Sequence, residues 1–175
     1  MQLIYILSLF FLPLLMQDKA AVLYNSIAST ENPEVKVVNF NELQAFLCPS
    51  ENSETTYIIN FFATWCKPCV DELPYFLELY ANHREEGLHF ILISLDFPQQ
   101  LESRLIPFLK NNEVRAEVFL LDDPAANDWI PKVDENWSGA IPATLICRNG
   151  KSSFYEKTFH STEELSELIA PYLNQ

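Results

Sequence analysis

The chain has 175 residues, 49% hydrophobic and 20% charged, which suits one packed domain and argues against disorder. With 24 Asp and Glu against 11 Lys and Arg, the formal charge is −13, so phosphate backbones are repelled and no nucleic-acid partner is expected. The three glycines, Gly87, Gly139 and Gly150, lie too far apart to build a phosphate-cradling loop.

Leu3 to Leu15 is an apolar run broken only by Ser8 and Pro13. It is shorter than the roughly 20 residues a bilayer span needs and has the length of a signal-peptide core. No Lys or Arg precedes it, and the best small-x-small site, Ser26-Ile27-Ala28, lies well downstream. The expected organisation is a signal peptide or membrane anchor over 1–16, a polar spacer over 17–34, and one domain over 35–175. No cysteine precedes Cys48, so a lipid-modified N-terminus is not expected.

Val35 to Phe40 carries enough β-branched residues for a first strand, and Asn41, with Gln44 three residues on, is placed to cap a short helix to Leu47. Thr56 to Phe62 is a β-branched and aromatic run suited to a central strand buried on both faces. The next segment, Cys66 to Glu86, repeats apolar residues at Val70, Leu73, Phe76, Leu77 and Tyr80, the spacing of a helix. Pro74 should kink that helix and Gly87 should end it. A strand over Leu88 to Leu95, a helix over 99–111, a short strand over Val118 to Leu121 and an irregular stretch through Gly139 follow. Pro142 opens a strand to Cys147, and Asn149-Gly150 turns the chain into Ser153 to Glu156. A last helix starts at the Ser161 to Glu164 capping box and runs to Leu173. This alternation predicts an α/β domain, a mixed sheet with helices on both faces.

Trp65-Cys66-Lys67-Pro68-Cys69 falls where the buried strand passes into the helix. A C-x-x-C pair there brings both sulfurs to one side of the first turn, within reach of a disulfide. The positive end of the helix favours the Cys66 thiolate, Lys67 adds a cation in the same sense, and Pro68 costs no hydrogen bond in a first turn. Cys66, nearer the end, is the expected nucleophile, and Cys69, one turn in, the resolving thiol. Structural zinc is disfavoured because His83, His89 and His160 are scattered and supply no second ligand pair. Covalent haem would need His where Val70 stands. No metal or other cofactor is expected.

Asn60-Phe-Phe-Ala-Thr-Trp-Cys-Lys-Pro-Cys69, then Glu72-Leu-Pro74 and later Ala140-Ile-Pro-Ala-Thr144, resembles the thioredoxin superfamily. The closer resemblance is to its extracytoplasmic TlpA/ResA-like branch, whose members reduce protein disulfides, including those of cytochrome c maturation. The resemblance covers about 35–175 and implies a thioredoxin fold with an inserted helix-strand unit between Asp96 and Gly139. It implies that Pro142 is a cis-proline whose preceding residue, Ile141, faces the disulfide. Trp65, Ile141 and Pro142 are then expected to contact substrate. Asn60 stands where cytoplasmic thioredoxins carry a proton-accepting Asp, and Glu72, one turn past Cys69, resembles the branch's carboxylate beside the site. The alternative for Glu72 is a solvated helix charge.

The expected partners are disulfide-bearing or dithiol proteins and a membrane or periplasmic electron donor. Three other readings compete with a reductase. They are a disulfide oxidant or isomerase, towards which Lys67 leans, a binding or chaperone module with incidental thiols, and a thiol peroxidase. The last would place Thr three residues before the nucleophile, and Thr64 precedes Cys66 by two. Cys48 and Cys147 are expected as buried free thiols, with a disulfide between them as the alternative in an oxidising compartment. Trp129 and Trp137 are expected to serve packing.

Overall fold

Residues 33–48 and 54–173 are described by a computed structural model, so the expected leader over 1–16 and nearly all of the spacer lie outside the described residues. Strand β1 is Val35–Val38, β2 Thr56–Phe62, β3 Leu88–Ser94, β4 Glu117–Leu121, β5 Ala143–Arg148 and β6 Lys151–Tyr155. They form one sheet in the order β1-β4-β3-β2-β5-β6. The first four strands run parallel, whereas β5 pairs antiparallel with β2 and β6 antiparallel with β5. This is the mixed sheet the alternation of elements predicts.

The helices are α1 (Phe40–Leu43), α2 (Lys67–His83), α3 (Ile106–Asn111), α4 (Ala126–Val133) and α5 (Thr162–Leu173). Two cores result, because successive strand residues point to opposite faces. Ile58, Phe62, Phe90, Leu92 and Leu120 meet Leu73, Phe76 and Leu79 of α2 and Leu165 and Ile169 of α5. Ile59, Phe61, Ile91, Ile93 and Phe119 meet Phe40 and Leu43 of α1, Trp129 of α4 and Trp137. Burying each large side chain stabilises the fold by about 1.5–3 kcal/mol, before conformational entropy is set against it. Trp129 and Trp137 are buried packing residues, as expected, and each indole N–H finds a backbone carbonyl, Asp123 O and Ala140 O.

Several local expectations are corrected. The cap of α1 is Asn39, whose side chain accepts the Glu42 N–H while the Glu42 carboxylate accepts the Asn39 N–H. Asn41 instead takes a bond from the Gln44 amide. The stretch after β4 is not irregular, since α4 occupies Ala126–Val133. The expected helix over 99–111 is broken into a 3-10 turn at Pro98–Gln100, a wide turn at Leu101–Leu105 and α3. Pro74 lies inside α2 without ending it, and Gly87 follows at φ +83°, a backbone region that favours glycine.

Cys48 and Cys147 are joined by a disulfide, which overturns the default of two free thiols. Both sulfurs belong to the α1 face of the sheet, where Cys147 is buried and Cys48 packs at the edge.

Candidate active site

The carboxyl end of β2 and the start of α2 place the first cysteine. Cys66 caps α2 in an extended conformation, and its Sγ accepts the Cys69 N–H at 3.3 Å. Its backbone carbonyl accepts from Val70 N, so the chain enters the helix through this residue. Lys67 and Pro68 open the first turn, where a missing N–H leaves no helical bond unmade. Cys66 and Cys69 form a disulfide with Cα atoms 5.3 Å apart. Cys66 is 7% exposed and Cys69 1%, so the first cysteine is the less deeply buried of the two.

Among the other expected site residues, Ile141 and Pro142 come to this disulfide. The Ile141–Pro142 bond is cis, and the Ile141 carbonyl oxygen lies 3.7 Å from Cys66 Sγ. Trp137 supports that turn from below through its bond to Ala140 O. Trp65, 51% exposed beside Cys66, is one of three exposed large apolar side chains among the described residues. A second, Phe97, follows β3 on the neighbouring loop.

Lys67 carries its charge into an ion pair. Its ammonium is held by the Asp71 carboxylate at 2.6–2.8 Å, and both groups are largely exposed. Solvent and that partner together leave little of its charge for Cys66.

Glu72 is wholly buried, which removes the reading as a solvated charge. Its Oε1 accepts from Asn60 Nδ2 at 3.1 Å and its Oε2 from Phe159 N at 2.8 Å. The same Asn60 amide donates to Thr144 Oγ1 at 3.0 Å, tying the carboxylate to β2 and β5. Burial pushes the Glu72 pKa up from 4.5 to about 7, with the Glu164 charge adding to the rise and the two hydrogen bonds opposing it. A carboxyl that titrates near neutrality, one helical turn beyond a buried thiol, can take a proton from it.

One site residue was missed by the sequence reading. Asp96, 2% exposed, follows β3, and its carboxylate accepts the Thr64 N–H and hydroxyl two residues before Cys66. An acidic residue directly after a buried parallel strand, level with the motif loop, was the available signal.

No helix among the described residues is long and apolar enough to cross a membrane. A pocket of about 240 Å³ lies beside Cys48 and Cys147, at the far end of β5 from Ile141–Pro142, so the Cys66–Cys69 disulfide lies away from it.

Comparison with known proteins agrees with this arrangement. Thiol-disulfide oxidoreductase ResA of Bacillus thuringiensis subsp. konkukian is 47% identical over 114 residues, 63% of this chain and 60% of that protein. ResA of Oceanobacillus iheyensis is 37% identical over 67 residues, 33% of this chain and 35% of its own length. The chain thus spans about a third to three-fifths of the length of these curated relatives. A crystal structure of a thiol:disulfide interchange protein from Chlorobium tepidum TLS shares the fold. Its TM-score is 0.57 at 22% identity, covering 69% of this chain and 81% of that one. The fold is that of thioredoxin. The sequence model of the AhpC/TSA family matches residues 29–150, and the chain belongs to that family.

Proposed function

We propose that the chain is a thiol–disulfide oxidoreductase that reduces protein disulfides outside the cytoplasm. The observation that carries this reading is the Cys66–Cys69 disulfide at the start of α2, with Cys66 the less buried of the two and Cys69 one turn from the buried Glu72. In the dithiol form, the Cys66 thiolate attacks a substrate disulfide. A Cys66–substrate bond forms, the substrate S–S bond breaks, and the departing thiolate takes a proton. Cys69 then gives its proton to the Glu72 carboxylate and attacks Cys66 Sγ, which releases the second substrate thiol. Two electrons have passed from the pair to the substrate, and a dithiol donor in the same compartment restores Cys66 and Cys69.

The Ile141 carbonyl beside Cys66 Sγ and the exposed indole of Trp65 support a substrate contact at Trp65, Ile141 and Pro142, the indole offering an apolar surface. The pairing of Lys67 with Asp71 removes the main argument for an oxidant. A pure binding module has no use for a paired C-x-x-C beside a buried carboxyl of raised pKa. The Cys48–Cys147 disulfide favours an oxidising compartment, and an apolar leader over residues 3–15 would deliver the chain there.

Dithiothreitol-driven reduction of insulin, followed by precipitation of its free chains, tests this function. Wild type should accelerate it, and Cys66→Ser should return it to the uncatalysed rate. Equal rates for the two proteins would refute the reading.

A further inference from the structure

Asp96 is a buried carboxylate that the disulfide-exchange steps above do not use. It stands at the carboxyl edge of the sheet, where the β2–β3 ladder ends in a bond from Leu95 N to Phe62 O at 2.8 Å. Its two oxygens accept the Thr64 N–H at 3.2 and 3.0 Å, and its Oδ1 accepts the Thr64 hydroxyl at 2.6 Å. Its Oδ2 accepts the Ser94 hydroxyl at 2.8 Å, while its own N–H donates back to Ser94 Oγ at 3.1 Å. All of these donors are neutral, and among the described residues no ion pair involves Asp96. A buried negative charge is therefore fixed two residues behind Cys66.

The other charges near Cys66 do not cancel it. Lys67 is exposed and paired with Asp71 on the outer side of α2. Arg104 reaches the Thr64 carbonyl at 3.5 Å from a solvent-exposed position, where water screens it. Glu72, buried on the inner face of α2, has the same sign as Asp96 or no charge.

We infer that Asp96 is a positioning residue that sets the redox poise of the Cys66–Cys69 couple: its carboxylate, held against Thr64, keeps an anion behind the nucleophile, and that charge makes the couple more reducing. The inference rests on the redox reading of that pair. The positive end of α2 stabilises the Cys66 thiolate and thereby the reduced state, which drives a couple towards oxidising behaviour. A buried anion nearby opposes this, because like charges disfavour the ionised thiol and a low-dielectric surrounding screens them little. Asp96 thus restrains the helix and keeps the pair an electron donor.

The test is the equilibrium of the pair with reduced and oxidised dithiothreitol, together with the pH profile of Cys66 alkylation by iodoacetamide. Wild type, Asp96→Asn and Thr64→Val are compared. Asp96→Asn removes the charge and keeps an oxygen for Thr64. It should raise the equilibrium constant for reduction of the pair by about three- to tenfold and move the alkylation profile to lower pH. Thr64→Val removes a hydroxyl that partly neutralises the carboxylate, so it should move both readouts the opposite way. It also carries the test if Asp96→Asn does not fold. Shifts of the same sign in both variants would show that clamp geometry rather than charge sets the poise, and would overturn the inference. Unchanged constants in either folded variant would overturn it too, while leaving the disulfide chemistry standing. A wild-type pair that does not exchange with dithiothreitol at all would overturn both.

Discussion

Replacing Glu72 by Gln perturbs stability and kinetics in ways that can be worked out from the structure. The carboxyl is buried, and its pKa rises from an ordinary 4.5 to about 7, first through desolvation. Between those two pH values the unfolded chain has lost this proton and the folded chain still holds it. Folding stability therefore falls as pH rises through that window, and its full value is present only below about 4.5. The gap, at ~1.4 kcal/mol per pH unit, comes to about 3 kcal/mol. The Glu72→Gln protein would carry no such dependence. It would also lose one of the two acceptors that Asn60 and Phe159 use, a constant cost of about 1–3 kcal/mol. Urea unfolding at a series of pH values from 4.5 to 8 should show wild type losing about 3 kcal/mol relative to the variant. In stopped-flow traces the variant should resolve its mixed disulfide more slowly, with the pH dependence moved upward, because Cys69 has lost its proton acceptor. Asp71→Asn, which touches only the exposed Lys67, should leave both curves where they are. Parallel stability curves for wild type and Glu72→Gln, together with equal resolution rates, would refute the reasoning.

Two further outcomes follow from the packing. Replacing both Cys48 and Cys147 by Ala opens a link between residues 99 apart, which should lower unfolding free energy by about 2–5 kcal/mol in urea while the Cys66–Cys69 couple keeps its potential. Asn39→Ala should cost about 1 kcal/mol, measurable by the same titration, because it removes one half of the capping box of α1, whereas Asn41→Ala should cost less.

Much of the site is local and was legible for that reason. The β-branched run of β2, the three-and-four spacing of α2 and the C-x-x-C between them are set by neighbouring residues, and each falls where the pattern puts it. The cap of α1 misled because two overlapping sequences, Asn39 to Glu42 and Asn41 to Gln44, satisfy the same template. Only the first has a carboxylate to return the bond. Helix α4 was hidden by its length of eight residues, by Pro131 inside it and by Ala125 at its cap, which offers no side-chain acceptor. What could not be read locally was pairing at a distance. Cys48 meets Cys147 across the α1 face, and Asn60 joins Glu72 to Thr144, contacts that exist only once β2, β5 and α2 have assembled. Asp96 had a local signal in its place after β3, but its partner Thr64 lies on another strand's loop and shows only in the fold.

The central claim is that Cys66 attacks and Cys69 resolves. Trapping tests it most directly: reduced Cys69→Ser and reduced Cys66→Ser are each mixed with a protein disulfide, quenched in acid and analysed by peptide mass. Cys69→Ser should accumulate a mixed disulfide on Cys66, and Cys66→Ser should accumulate none on Cys69, because Cys69 is buried. A trapped adduct on Cys69 in the Cys66→Ser protein, with none on Cys66 in the other, would contradict the account.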